Sequence, residues 1–178
     1  DDDREKLKKF GPIKYGLDHM PFPFVVAAPA SARGWSQRSL TSFIERIQSE
    51  YRIDRGRVYL TGYSMGGHAT WAMACAYPHR FAAIAPVAGA GDSEEAARRL
   101  RHLPVWIFHG KMDPVVPAKY GLAMASALKR AGGNVQTTLY PDRGHDTWDL
   151  PYQNADLYAW FLKQRRFGSA PSTTPKAD

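Results

Sequence analysis

The chain has 178 residues, 44% of them hydrophobic, which is enough for one domain with a buried core. Because no apolar run reaches 18 residues, we expect no membrane span. The net charge of +7 comes from basic residues dispersed along the chain without interleaved aromatic residues, so we expect no nucleic-acid partner. Cys75 is the single cysteine and cannot form an internal disulfide, so the composition fits a cytoplasmic protein and a processed secreted protein equally.

Segments with helix and strand patterns alternate along the chain. The predicted order is helix or loop at 1–12, strand at 22–28, helix at 37–51, strand at 57–61, helix at 66–77, strand at 82–87, helix at 93–101, strand at 104–109, helix at 117–131, strand at 134–140 and helix at 152–165. Strands that alternate with helices form parallel sheets with right-handed crossovers. We therefore expect an α/β fold with a mostly parallel sheet of about five strands flanked by helices. This domain is expected to span 1–167, followed by a flexible tail at 168–178 that is rich in Pro, Ser and Thr.

The segment after the strand at 57–61 carries the clearest functional signal, a Gly-x-Ser-x-Gly motif with Ser64 at its centre. In a nucleophile elbow the serine stands on a strained turn between a strand and a helix, and the flanking glycines let the two backbones approach. The context agrees, because an apolar strand precedes the motif and a small-residue helix follows it. The other interpretation is a structural serine in a glycine-rich turn. We expect Ser64 to be a nucleophile.

A serine nucleophile needs a base, and the base needs an acid that orients it; in this fold class the order along the chain is Ser, Asp, His. Asp113 follows the strand at 104–109, and His145 lies in a glycine-containing loop after the strand at 134–140. Both therefore reach the edge of the sheet where catalytic groups of open α/β sheets collect. Three other carboxylates, all in the loop of His145, compete with Asp113 for the acid role: Asp142, Asp146 and Asp149.

The other histidines show no pattern of metal ligation. His109 precedes a glycine inside a strand signal and fits a packed, backbone-bonded histidine better than a base. The sequence contains no Cys-x-x-Cys, no His-Glu-x-x-His and no spaced carboxylate set, so we expect no metal.

Four blocks of sequence together resemble α/β-hydrolase enzymes of the phospholipase/carboxylesterase-like and predicted-peptidase groups, near feruloyl esterases and dienelactone hydrolases. The blocks are 57–67, 77–89, 103–117 and 140–148. The resemblance covers roughly residues 1–165 and implies a three-layer α/β-hydrolase fold with Ser64 as nucleophile, Asp113 as acid and His145 as base. It also implies that the backbone N–H of Met65 is one oxyanion donor, and that no metal or organic cofactor takes part.

One departure from the pattern of these enzymes concerns the sheet. They carry, before the position where this chain begins, an apolar strand whose following loop donates the second oxyanion N–H. In the usual strand order of these enzymes, that strand lies in the sheet between the strands at 22–28 and 57–61. The chain therefore resembles an N-terminally truncated hydrolase. Because unpaired backbone groups in such a gap are unfavourable, we expect 22–28 to pair with 57–61 directly or through a second chain, and we expect a homo-oligomer. The loop at 29–36, or a partner's backbone, is then the expected source of the second donor.

These observations predict a serine hydrolase that cleaves small-molecule carboxylic esters, with short acyl or aryl groups, through an acyl-enzyme. Two alternatives stay open: a serine peptidase or amidase of the same fold, and a catalytically weak binding scaffold, since half of the oxyanion hole is missing from the pattern. No insertion is long enough for a cap domain, so we expect an open site. Four side chains that are expected to reach it, and that also fit simple packing, are Tyr63, Trp35, His68 and Trp148.

Overall fold

The computed structural model describes residues 3–30 and 34–166, so the predicted tail at 168–178 lies outside the described residues. A 3₁₀ turn spans Pro78–Arg80. The helices and strands of the described part are α1 (Asp3–Leu7), α2 (Gly11–Asp18), α3 (Gln37–Glu50), β1 (Tyr59–Tyr63), α4 (Met65–Ala76), β2 (Ala83–Val87), α5 (Ser93–Arg99), β3 (Val105–Gly110), α6 (Ala118–Arg130), β4 (Val135–Tyr140), α7 (Leu150–Gln153) and α8 (Ala155–Lys163).

The strands form one parallel sheet in the order β1-β2-β3-β4. Its register runs from Tyr59 opposite Ala83 on one side to Gly110 opposite Tyr140 on the other. A helix connects each strand to the next, and all carboxyl ends therefore lie at the same edge of the sheet. The predicted α/β class is confirmed, with four strands in the described residues where about five were expected.

Helices cover both faces of the sheet, and each face buries its own cluster of apolar side chains. Side chains alternate between the faces along a strand. In β3, Ile107 belongs to the cluster beneath α4, α5 and α6, whereas Phe108 belongs to the cluster beneath α7 and α8. The central strand β2 is buried at every position, but every residue of β1 is only partly buried. The domain is therefore three-layered, and the edge strands β1 and β4 are less covered than the central strand β2.

The predicted helix at 152–165 is divided into α7 and α8. The division lies at Asn154, whose side chain accepts a hydrogen bond of 2.9 Å from the backbone N–H of Asp156. An asparagine that caps a helix in this way satisfies one of the free N–H groups of the first turn. The cap therefore starts a new helix inside a segment that has the periodicity of a single one.

The segment at 22–28 is not a strand, which corrects the prediction made from its apolar residues. Its side chains alternate between half-buried and exposed from Phe22 to Val26, as they do in a strand. However, it pairs with no strand of the described chain, and Pro23 has no N–H to donate. Aromatic packing holds the segment instead, because the rings of Phe22 and Phe24 lie 5.1 and 5.9 Å from that of Tyr158.

β1 is an edge strand of the described sheet, and all its residues line a cavity of about 1000 Å³. Apolar side chains form much of the wall, among them Phe24, Leu40, Ile44, Ile47 and Leu60. α3 lies beside this cavity without fully burying any of its residues. The expected direct pairing of 22–28 with 57–61 is therefore wrong for the single chain. Pairing through a second chain, and the homo-oligomer, stay predictions.

Candidate active site

Ser64 stands on the turn between β1 and α4, at the carboxyl edge of the sheet. Its φ of 52° and ψ of −113° lie outside the regions that L-residues ordinarily occupy, a conformation that costs on the order of 1–3 kcal/mol. Gly62 permits the turn, because a Cβ at that position would overlap the backbone of Gly66. The backbone N–H of Ser64 donates to the Val87 carbonyl at 2.9 Å and so fixes the turn against β2.

Side chains that follow three different strands form a continuous hydrogen-bonded chain. Ser64 Oγ lies 2.9 Å from His145 Nε2, and His145 Nδ1 lies 2.7 Å from Asp113 Oδ2. An ionised carboxylate only accepts, so Nδ1 carries the hydrogen and the lone pair of Nε2 accepts the Ser64 hydroxyl. The His145 side chain is 20% exposed, and that of Asp113 is completely buried. The arrangement is chemically able to remove the proton from Ser64.

Asp113 is held by the loop that follows β3. Its Oδ1 accepts hydrogen bonds of 2.9 Å from the backbone N–H groups of Val115 and Val116. Burial by itself would raise the pKa of the Asp113 carboxyl, but the hydrogen bonds from His145, Val116 and Val115 outweigh burial and lower it. The carboxylate is therefore charged at neutral pH and has a fixed orientation toward His145.

The three competing carboxylates do not take this position. Asp146 is exposed, and it accepts hydrogen bonds from the Gly144 N–H and from Arg143. Asp149 accepts from the side chain of Gln153, and Asp142 is exposed. Among these carboxylates, Asp113 is therefore the one that the fold brings to His145.

Tyr63 lies beside His145. Its hydroxyl donates to the backbone carbonyl of His145 at 2.5 Å, and the two rings are 5.1 Å apart. Burial, with the Asp113 charge as a smaller cause, raises the pKa of Tyr63, so the hydroxyl stays protonated and able to donate. Tyr63 also lines the cavity that Ser64 shares, where the sequence predicted it, but the sequence reasoning did not foresee its contact with the loop of the base.

The other predicted pocket residues are divided between two depressions. Trp35 and Trp148 line the large cavity together with Ser64, whereas His68 lines a separate depression of about 430 Å³. His68 Nδ1 lies 2.8 Å from the carbonyl oxygen of Ala90. Sequence reasoning also missed Phe10, whose ring packs edge-on against Trp148 at 5.0 Å; the Phe-Gly-Pro break in the predicted helix at 1–12 was the available signal.

Met65 is the first residue of α4, and the first N–H groups of a helix have no partner within it. They also lie at the positive end of the helix dipole, which favours developing negative charge. A backbone N–H next to Ser64 is therefore available for an oxyanion. The loop at 29–36 contains residues 31–33, which lie outside the described part of the chain.

The profile of the phospholipase/carboxylesterase family matches residues 33–158, a stretch that contains Ser64, Asp113 and His145. The match covers more than half of the chain and includes the whole four-stranded sheet. The chain belongs to this family.

Relatives of this phospholipase/carboxylesterase family member include the bifunctional acetylxylan esterase/xylanase XynS20E of Neocallimastix patriciarum, which is 32% identical over 87% of this chain and 25% of its own length. A probable feruloyl esterase C of Aspergillus terreus is 28% identical over 56% of this chain and 39% of its own length. A solved structure of a thermostable esterase superposes with a TM-score of 0.70 at 34% identity, over 72% of this chain and 36% of that one. The chain thus spans well under half the length of these relatives.

Two further properties of this family member concern the described residues alone. No group of three or more His, Cys, Asp or Glu side chains is arranged there to hold a metal ion. None of the helices in the same ranges has both the length and the apolar character needed to cross a bilayer.

Proposed function

We propose that this chain is the catalytic region of a serine esterase in which Ser64 attacks, His145 transfers protons and Asp113 orients His145. The single observation that carries the proposal is the hydrogen-bonded chain from Ser64 Oγ through His145 to Asp113, 2.9 and 2.7 Å long at its two links. The strained conformation of Ser64 supports it, because such strain concentrates at functional sites.

In the acylation step, Ser64 Oγ attacks the ester carbonyl carbon while His145 Nε2 takes the hydroxyl proton. The Met65 N–H donates to the oxyanion of the tetrahedral intermediate, an interaction worth about 10²- to 10³-fold in rate for one donor. When the intermediate collapses, His145 gives its proton to the departing alcohol and the acyl group stays on Ser64. The Asp113 carboxylate stabilises the imidazolium that forms between these two transfers.

In the deacylation step, water takes the place of the alcohol. His145 Nε2 removes a proton from the water as it attacks the acyl carbon, and then returns that proton to Ser64 Oγ. The products are the free acid and the starting enzyme. No metal or organic cofactor is needed at any step.

The proposed substrates are small esters with short acyl or aryl groups. Trp35, Trp148 and Phe10 supply apolar and aromatic surface in the cavity that Ser64 shares, and ligand sites combine such surfaces with a few polar groups. The relatives include an acetylxylan esterase and feruloyl esterases. Their names indicate acetyl esters and aryl-acyl esters as the respective substrates. These names support the proposed class of acyl group.

The test is hydrolysis of p-nitrophenyl acetate and butyrate by the wild-type chain, with Ser64→Ala as the blank. We expect Ser64→Ala to lose about 10⁴- to 10⁶-fold in kcat. Ser126→Ala, at an exposed serine of α6, is the matched control and should keep full activity. A fluorophosphonate probe should label Ser64; labelling at another residue, or an undiminished rate in Ser64→Ala, would reject the assignment.

The same assay separates the two alternatives. A faster rate on a peptide or anilide than on the matched ester would favour a peptidase or amidase. Stoichiometric labelling of Ser64 without turnover would favour a weak scaffold, because losing one oxyanion donor slows the reaction by about 10²- to 10³-fold and leaves the serine in place.

A further inference from the structure

A second histidine, His109, lies next to Asp113 and has no role in the proposed reaction. It stands near the carboxyl end of β3 and is completely buried. Its Nε2 lies 2.7 Å from the carbonyl oxygen of Val116 and 3.5 Å from Asp113 Oδ2, the oxygen that accepts from His145. Its Nδ1 has no hydrogen-bond partner within residues 3–30 and 34–166. These contacts fit the tautomer with the hydrogen on Nε2, which donates to Val116 and points toward Asp113.

A buried imidazole nitrogen without a partner is unfavourable, and an aliphatic side chain at the same place would avoid the penalty. The ring's compensating contact is its bond to the Asp113 loop. His109 Nε2 holds the Val116 carbonyl, while the N–H groups of Val115 and Val116 hold Asp113 Oδ1. The backbone of the loop at 113–116 is therefore bonded to His109 of β3 through a carbonyl group and to the Asp113 carboxylate through two N–H groups.

α6 closes the space behind the ring. A Cβ at Gly121 would lie 2.7 Å from His109 Nδ1 and 3.5 Å from its Cε1, so the helix backbone packs directly on the imidazole. Glycine lowers the intrinsic stability of a helix interior, and α6 carries it at the position that faces this ring. The ring is thus confined between α6 and the loop of Asp113.

We propose that His109, confined by Gly121, is a positioning residue for Asp113: its Nε2–H fixes the loop at 113–116 so that Asp113 Oδ2 stays aligned with His145 Nδ1. The inference rests on the proposed function, in which Asp113 orients the base. His109 is not among the residues that line the cavity of Ser64, so it acts through Asp113 and not on the substrate.

Three variants and one control test this role. His109→Leu removes the donor, and His109→Gln keeps an N–H of similar reach. Gly121→Ala leaves His109 intact but pushes its ring toward the Asp113 loop. Ile107→Val is the matched control, because Ile107 lies on the same face of β3 beside Gly121 and makes no hydrogen bond to the loop.

In His109→Leu and Gly121→Ala we expect kcat to fall by about 10- to 100-fold with KM within about twofold, the size of effect that a misplacement of about 1 Å produces. His109→Gln should recover most of the rate, and Ile107→Val should match the wild type. Loss of rate in proportion to folded protein, with no recovery of rate in His109→Gln, would show a merely structural role and overturn the proposal.

A proton NMR measurement separates this inference from the proposed function. The His145 Nδ1–H, buried against Asp113, is expected to give a downfield resonance in the wild type that broadens or disappears in His109→Leu. If the wild type shows no turnover, the proposed function fails, and the resonance still tests the positioning. An unchanged resonance and an unchanged kcat in both His109→Leu and Gly121→Ala would overturn the inference.

Discussion

Replacement of Asp113 by asparagine tests the central hydrogen-bonded chain. The Asn carbonyl can keep the two bonds from the Val115 and Val116 N–H groups, so the loop keeps its shape. The Asn amide then faces His145 Nδ1 at the 2.7 Å contact and donates to it. Nδ1 becomes an acceptor, the hydrogen moves to Nε2, and the lone pair that would receive the Ser64 proton is lost. We expect kcat to fall by about 10⁴-fold, equivalent to roughly 5 kcal/mol of transition-state stabilisation.

The assay is p-nitrophenyl ester turnover at neutral pH, with urea unfolding to verify that the variant is folded. Asp146→Asn is the matched control, because Asp146 lies next to His145 in sequence but is exposed and bonds to Gly144 and Arg143. It should retain wild-type kcat within about twofold. If Asp113→Asn keeps more than a tenth of the activity, or Asp146→Asn loses as much, the assignment of the acid is wrong.

Four further outcomes are expected. Gly62→Ala should lower kcat by about 100-fold and the free energy of unfolding by about 1–3 kcal/mol, because the added Cβ forces apart the backbones of β1 and α4 at Ser64; kinetics and urea melts measure both. The pKa of Asp113 is lowered on folding, so the contribution of its carboxylate to the free energy of unfolding is complete above pH 3.8 and is lost as the pH falls below that value. Unfolding midpoints from pH 5 to 2 should therefore fall less steeply in Asp113→Asn than in the wild type. Burial raises the pKa of the Cys75 thiol to about 11, so about one thiol in a thousand is ionised at pH 8, and a disulfide reagent should react slowly until urea exposes the residue. The partly covered edge at β1 predicts self-association, and sedimentation velocity should show a species larger than the monomer mass of 19.9 kDa; a single monomer peak at all concentrations would contradict this.

Local rules account for most of the fold. The strands at 57–61, 82–87, 104–109 and 134–140 appear within two residues of their predicted bounds, because each is a short apolar run that a helix follows and that finds a parallel neighbour. The elbow at Ser64 is equally local, since glycines at 62 and 66 permit a backbone approach that other residues would block. Such features depend on residues close in sequence, and a sequence shows them directly.

Contacts between distant segments were decided by the tertiary structure alone. The segment at 22–28 has a strand's alternation, but a strand also needs a neighbour to share hydrogen bonds, and the described chain supplies none there. Asp113, 32 residues from His145, is brought to it, whereas the nearby Asp146 turns to Arg143 and Gly144. Pairings of this kind depend on loop geometry and on the sheet register, and neither can be read from residue types.

The predicted pocket residues show the same contrast between what local sequence determines and what tertiary contacts determine. The sequence placed Tyr63, Trp35, His68 and Trp148 near one edge of the sheet, because all four lie on segments close to strand ends. Tyr63, Trp35 and Trp148 line the cavity that Ser64 shares, whereas the His68 side chain turns to Ala90 in another depression. The direction of the Tyr63 side chain also brings its hydroxyl to the His145 carbonyl. A residue's place along a strand or helix follows from local sequence, but the group its side chain meets is set by the packing of elements that are far apart in the chain.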